Sequence, residues 1–436
     1  MKKRTYKDSI SRRRFLKTAA GTVGGAIVFP YVVPSSVFGA DGFVAPSNRV
    51  VMGCIGVGSQ GTWDMRGFLG RREVQIVAVA DVDKRHRWAA KREVDERYGN
   101  TDCEMYLDFR EVIARDDINA LMIAVPDHWH SIPAIMGARA GKDIHAQKPL
   151  ARTVREGRAI CDAVRRYGIV WQTGSQQRSD YSFRRACELV RNGRIGRVSR
   201  VEVGLPTGYG GQNNPVQQVS QWVDWDFWLG PAPWVPYRGV MHWDWRWIMD
   251  YSGGQLTDWA GHHIDIAHWG LGLDHTGPVE IEGKGVYPED GIYNVPVEYR
   301  IIARYADGLE MIIANDKQQP HGMGACWYGE KGWIHVNRAG LNANPASVLQ
   351  EVVGPGEIHL YESSDHQQNF LDCIRSRNVT VAPPEVAHRA ISVALLGEIA
   401  MLTGRKLRWD PDKEVFIGDD EANKMLSRPM RSPWHL

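Results

Sequence analysis

The sequence predicts a two-part α/β protein, a doubly wound parallel sheet followed by an α+β region. Three observations predict it: an apolar strand running into a glycine-rich turn near residue 56, alternating strand-like and helix-like segments up to residue 173, and strand-like segments from residue 198 onward. A length of 436 residues suits two or three domains. The formal charge of +2 gives no reason to propose a nucleic-acid or anionic-membrane partner. The six cysteines are scattered without metal or disulfide spacing and read as small buried hydrophobes.

Residues 1–40 follow a different grammar. Ser11-Arg12-Arg13-Arg14-Phe15-Leu16-Lys17 leads into a weakly apolar stretch from Thr18 to Val33. It resembles a twin-arginine export signal at every defined position. The apolar run is too short and too rich in Gly and Ala for a membrane anchor, so the mature chain is expected to have no span, to be periplasmic or otherwise exported, and to use the twin-arginine machinery as a partner.

The first domain is expected over residues 41–173. Its opening strand, Arg49 to Ile55, enters Gly56-x-Gly58-x-x-Gly61, and Thr62 to Leu69 opens a helix. The three glycines permit a tight turn, close approach to a pyrophosphate and close helix packing, with Ser59 and Gln60 beside the phosphates. A second strand, Val74 to Ala80, ends at Asp81, placed to bond ribose hydroxyls. This is a dinucleotide-binding (Rossmann) pattern. Asp81 favours NAD by repelling a 2′-phosphate, while Lys84 and Arg85 leave NADP open. Helix-like Trp88 to Tyr98, a short strand at Met105 to Leu107, helix-like Phe109 to Arg115 and a buried strand from Ala120 to Val125 continue the alternation. Two polar segments follow strand ends, where open parallel sheets bind ligands: Pro126 to His130, and His145 to Leu150. Pro126 and His130 are candidate cofactor contacts.

These motifs, with Lys148-Pro149 after a short strand and a later Asp258-x-x-x-His262, resemble the Gfo/Idh/MocA oxidoreductases, relatives of glucose-fructose oxidoreductase and inositol dehydrogenase. One departure is Gln147 where the family usually has Glu before Lys-Pro. The resemblance implies that residues 174–436 form a substrate and oligomerisation domain around a large open, mostly antiparallel sheet, whose flat face makes a homo-oligomer contact. Val198 to Leu205, Val279 to Val286, Val297 to Tyr305, Leu309 to Asn315 and Ala325 to Val336 read as its strands, with Asp307-Gly308 as a hairpin turn. Helices are expected over Asp365 to Ser376 and Glu385 to Thr403, packing back toward the first domain.

The resemblance places Lys148 beside the nicotinamide and the reacting hydroxyl, and lets His262 act on substrate, oriented by Asp258 four residues earlier on the same helical face. Lys148, Asp258 and His262 are therefore the catalytic candidates. His263, about 100 degrees away, and Trp259 are candidate substrate contacts. Arg178, in Gly174-Ser175-Gln176-Gln177-Arg178, either binds a sugar hydroxyl or pairs with an acid. His262, Asp265, His268 and Asp258 have helical spacings that suit a metal, but no completing ligand stands out, and no metal is expected. Eight tryptophans, Trp222, Trp225, Trp228, Trp234, Trp243, Trp245, Trp247 and Trp259, crowd this region; they suit a sugar-stacking cleft wall, or a core. The expected function is an exported NAD(P)-dependent oxidoreductase acting on a sugar or glycoside hydroxyl, with a tightly bound cofactor. The alternatives are a redox-neutral NAD-dependent glycosidase and a non-catalytic sugar-binding protein.

Overall fold

Six parallel strands build the first sheet: β1 (Val50–Ile55), β2 (Val74–Ala80), β3 (Glu104–Tyr106), β4 (Ala120–Ile123), β5 (Asp143–Ala146) and β6 (Trp171–Thr173). This computed structural model describes residues 48–436, so the expected export signal over residues 1–40 lies outside the described residues. The strand order is β3-β2-β1-β4-β5-β6. The order reverses between β1 and β4, opening a crevice beyond their carboxyl ends. β1 and β4 are almost wholly buried, as expected for strands covered on both faces by the helices α1 (Ser59–Leu69), α2 (Lys84–Tyr98), α3 (Phe109–Ile113), α4 (Ser131–Arg139) and α5 (Val154–Tyr167).

Local chemistry sets several helix ends. Asp83 caps α2 and Thr153 caps α5 through backbone N–H groups, while Gly99 and Gly168 end those helices in the left-handed region. After α6 (Tyr181–Arg191), β7 (Val198–Leu205) begins the second sheet. A Trp-rich excursion carrying the short helix α7 (Trp225–Leu229) then leads to α8 (Gly254–Leu271). The sheet continues with β8 (Glu280–Val286), β9 (Glu298–Arg304), β10 (Glu310–Asn315), β11 (Gly324–Gly329), β12 (Gly332–Asn337) and β13 (Gly340–Asn344). The chain closes with α9 (His366–Ser376), α10 (Pro384–Thr403), β14 (Leu407–Asp410), β15 (Val415–Phe416) and α11 (Asp420–Lys424).

The second sheet runs β13-β12-β11-β7-β10-β9-β8-β14-β15, antiparallel except for the β7–β10 pair. Helices α6, α8 and α10 lie against it. α10 is long and apolar enough to cross a membrane, but 83% of its apolar window is buried, which makes it a core helix here. Gly308 holds the β9–β10 turn at φ +87°. The expected single strand from Ala325 to Val336 is two: Gly329 and Gly332 pair across a two-residue turn at Glu330-Lys331, folding the segment into a hairpin. All six cysteines are buried and unpaired.

The Trp-rich excursion packs as a satellite core and is stitched to the first sheet. Lys84 N donates to Trp222 O (2.8 Å), Asp224 N to Val82 O (3.3 Å), and Trp129 Nε1 to Trp228 O (2.8 Å).

Candidate active site

The glycine turn is dictated by backbone crowding. Gly56 sits at φ +78°, where a Cβ would lie 2.4 Å from Ala124 O, and a Cβ on Gly61 would lie 1.9 Å from Gly56 O. Only glycine fits either position. Gly58 precedes α1 without any side-chain cap, leaving the first N–H groups of α1 to face a ligand. Asp81 stands at the end of β2, its Oδ2 accepting from Val57 N (2.9 Å) and its Oδ1 from Asp83 N (2.8 Å). A carboxylate so tied to the turn is fixed for ribose hydroxyls. These features fit a dinucleotide, which Gly56, Gly58, Ser59, Gln60, Gly61 and Asp81 would hold.

One cleft joins these residues to Pro126, Gln147, Lys148 and Asp258, and the excursion closes it with Phe227, Trp228, Met241, His242, Trp245 and Arg246. Lys148 follows β5, across β1 and β4 from Asp81. Its Nζ donates to Asp258 Oδ1 at 2.7 Å, and Arg246 Nε lies 3.6 Å from the same oxygen. Burial works to raise the Asp258 carboxyl, but Lys148 and Arg246 outweigh it and hold the group below the ordinary carboxylate range. A Cβ on Gly261 would approach Lys148 Cβ to 3.1 Å, so this glycine admits the lysine against α8.

The expected Asp258–His262 partnership takes another form. Asp258 turns to Lys148, and His262 Nδ1 is buried with no hydrogen-bond partner. Burial, then the charges of Lys148, Arg338 and His263, push the His262 imidazole well below its usual value and keep it neutral. His263 is fully buried, its ring stacked on Trp259 at 5.3 Å. Trp259 is half-buried, and Arg338 covers its ring at 4.7 Å.

Two candidate contacts, Arg178 and His130, are placed away from the cleft, and the helical residues weighed for a metal are apart. Arg178 is buried and paired with Asp265 (2.8 Å) and Asp274 (2.8 Å), so of its two readings the acid pairing holds. His130 is buried behind its loop with Nε2 2.8 Å from Val125 O; it braces the Pro126 loop instead of lining the cleft. The helical metal set is dispersed: Asp265 serves Arg178, and His268 Nε2 lies 2.7 Å from Tyr305 OH. Of the eight tryptophans, Trp225, Trp228, Trp245 and Trp247 are buried in the satellite core, with Trp228 and Trp245 also lining the cleft, while Trp222, Trp234 and Trp243 are exposed.

Sequence reasoning missed several residues. Asp64, on α1, is completely buried beneath the cleft, accepting from Gln147 Nε2 (2.7 Å) and Gln60 Nε2 (3.3 Å). Burial pushes its carboxyl up to about 7 against those bonds and the nearby Lys148. Asp83, His86 and His242 gather at the Asp81 end with ligand-capable atoms within 4.8 Å of one another. The only sequence signal for Asp64 was an acid in the first turns after the glycine loop.

Residues 50–175 match the description "Oxidoreductase family, NAD-binding Rossmann fold", and residues 182–436 match "Oxidoreductase family, C-terminal alpha/beta domain". Among named relatives, an alpha-N-acetylgalactosaminidase of Shewanella oneidensis is 32% identical over 36% of this chain and 38% of its own length. A levoglucosan dehydrogenase of Pseudarthrobacter phenanthrenivorans is 40% identical over 21% of this chain and 23% of its own. The chain thus spans well under half the length of these relatives. The solved scyllo-inositol dehydrogenase of Lactobacillus casei with bound NAD(H) and scyllo-inositol shares the fold: TM-score 0.58, 16% identity, 83% of this chain and 99% of that one. With both of its parts matched by the family's two domains, the chain belongs to the NAD-binding Gfo/Idh/MocA oxidoreductases.

Proposed function

We propose that the protein oxidises a hydroxyl of a sugar or glycoside, with NAD held tightly in the cleft. The observation that carries this reading is the Lys148–Asp258 pair on the cleft wall across β1 and β4 from Asp81. Bound nicotinamide supplies the hydride acceptor. Lys148, fixed by Asp258, bonds the reacting hydroxyl oxygen and stabilises the negative charge that develops there. His262, one helical turn after Asp258 on α8, is the acceptor of the hydroxyl proton in this reading. The excursion residues over the cleft favour a retained cofactor, which suits export through the twin-arginine route, since a folded carrier takes its nucleotide along. Asp81 favours NAD over NADP. The 174–436 region serves as substrate and oligomer domain in this reading.

A second reading is favoured by the alpha-N-acetylgalactosaminidase relative. In a redox-neutral glycosidase, transient oxidation acidifies the neighbouring C–H, the glycosidic bond is eliminated, water adds and the hydride returns to the sugar carbon. The same lysine and imidazole serve both schemes.

One experiment separates them. The purified chain is checked for co-purifying NAD(H) and incubated with a glycoside panel, while nicotinamide absorbance and released sugar are both followed. Net nicotinamide reduction supports the dehydrogenase, and sugar release without net redox supports the glycosidase. Bound sugar with neither supports a binding protein. No bound nucleotide and no affinity for added NAD or NADP would overturn both enzyme readings.

A further inference from the structure

We propose that the sugar taken by this site carries a carboxylate, and that Arg338 forms the subsite that receives it. The inference rests on the sugar-oxidoreductase reading and names its substrate class.

Arg338 is held in place without being neutralised. It sits at the tip of the β12–β13 hairpin, where Asn337 Oδ1 accepts from Ala339 N (2.8 Å) and Gly340 N (3.2 Å) and fixes the turn. Its guanidinium carbon lies 4.7 Å from the ring centroid of Trp259, the residue after Asp258 on α8. With the Gln177 amide oriented to satisfy both neighbours, its oxygen accepts from Arg338 Nε (3.3 Å) and its nitrogen donates to His262 O (2.9 Å). Stacking, turn and amide thus aim the side chain along the Trp259–His262 face of α8. Arg338 is exposed at the hairpin tip, and its two terminal nitrogens, the fork that matches a carboxylate, have no protein partner among the described residues.

The local charge supports the same ligand. Lys148, Arg246 and Arg338 surround one ionised acid, Asp258, which is already committed to Lys148. Of the other nearby carboxyls, Asp127 is fully buried and accepts from Ser252 Oγ at 2.6 Å, and Asp64 is buried beneath the cleft with its carboxyl pushed up to about 7. His262 adds no negative charge. By contrast, the arginine that the sequence put forward, Arg178, has two acids of its own. A site with more cations than anions around a reacting hydroxyl is complementary to an anionic sugar.

The test uses the full chain with its nicotinamide and isothermal titration of three hexuronates, glucuronate, galacturonate and mannuronate, against their neutral hexoses and the hexose 6-phosphates. The expected result is that one hexuronate binds about tenfold or more tighter than its neutral hexose, and that Arg338→Gln abolishes this preference without changing melting temperature or nicotinamide retention. A preference that survives Arg338→Gln, equal affinity for acid and neutral sugars, or tighter binding of the phosphate esters overturns the proposal. Neutral sugars bound and oxidised without preference sink this inference alone. If no sugar of any kind is bound or oxidised, the sugar reading falls with it.

Discussion

Lys148 Nζ and Asp258 Oδ1 lie 2.7 Å apart, so the loop after β5 is tied directly to α8 in the second part of the fold. The carboxylate is shared with Arg246, and both partners are largely buried. Asp258→Asn is therefore expected to lower kcat by about 10- to 100-fold while nicotinamide stays bound, because the ammonium loses its fixed counter-charge. Steady-state kinetics beside a nucleotide assay checks this, and an unchanged kcat would contradict it.

Asp64 gives a pH signature. An unfolded Asp titrates near 3.9, whereas burial holds the folded carboxyl at about 7. Between these values the folded state keeps a proton that the unfolded chain has lost, so stability declines as pH rises from about 4 to about 7 and levels off above. A shift of this size corresponds to a few kcal/mol at most, about 1.4 per unit. Asp64→Asn should flatten the dependence and melt higher than the native chain at pH 8. Parallel melting curves at pH 5 and pH 8 test it; an unaltered slope would contradict the assignment.

Arg178→Gln should be a stability variant. Removing the guanidinium leaves Asp265 buried without its partner, a loss of about 3 to 5 kcal/mol for a broken buried pair. Chemical denaturation reads this directly. A variant that kept its stability but lost sugar binding would restore Arg178 to the substrate site.

What was legible in the sequence was what neighbouring residues decide. Gly56, Gly58, Gly61 and Asp81 are set by one strand–turn–helix–strand order, and the structure assembles them in one cleft. Arg178 remained ambiguous because its acids lie 87 and 96 residues further along the chain, beyond any local pattern. Asp64 was invisible for the same reason: its meaning comes from Gln147, 83 residues away. Asp258 and His262 are four apart on α8, but a shared face does not decide a partner, and the lysine on the facing loop is the stronger attractor for a buried carboxylate. The hairpin inside Ala325 to Val336 has a local signal in Gly329-Glu330-Lys331-Gly332, where paired glycines interrupt the period-two run.

Asp81→Ala should weaken NAD binding by about tenfold or more and raise the ratio of NADP to NAD affinity. Part of the loss comes from freeing Val57 N and Asp83 N in the turn, and the gain toward NADP comes from removing a negative charge near Lys84 and Arg85. Trp228 and Trp245 line the cleft, so quenching of tryptophan fluorescence on titration reports both affinities. An unaltered NAD affinity would remove Asp81 from the ribose site.

The proposed role of Lys148 is to act on the sugar beside a separately held nicotinamide. Lys148→Ala, purified in parallel with the native chain, gives the most direct test by comparing bound NAD(H) with turnover of any glycoside the native chain processes. Retained nucleotide with turnover reduced about a thousandfold or more is the predicted result. Turnover that survives the substitution would contradict the account.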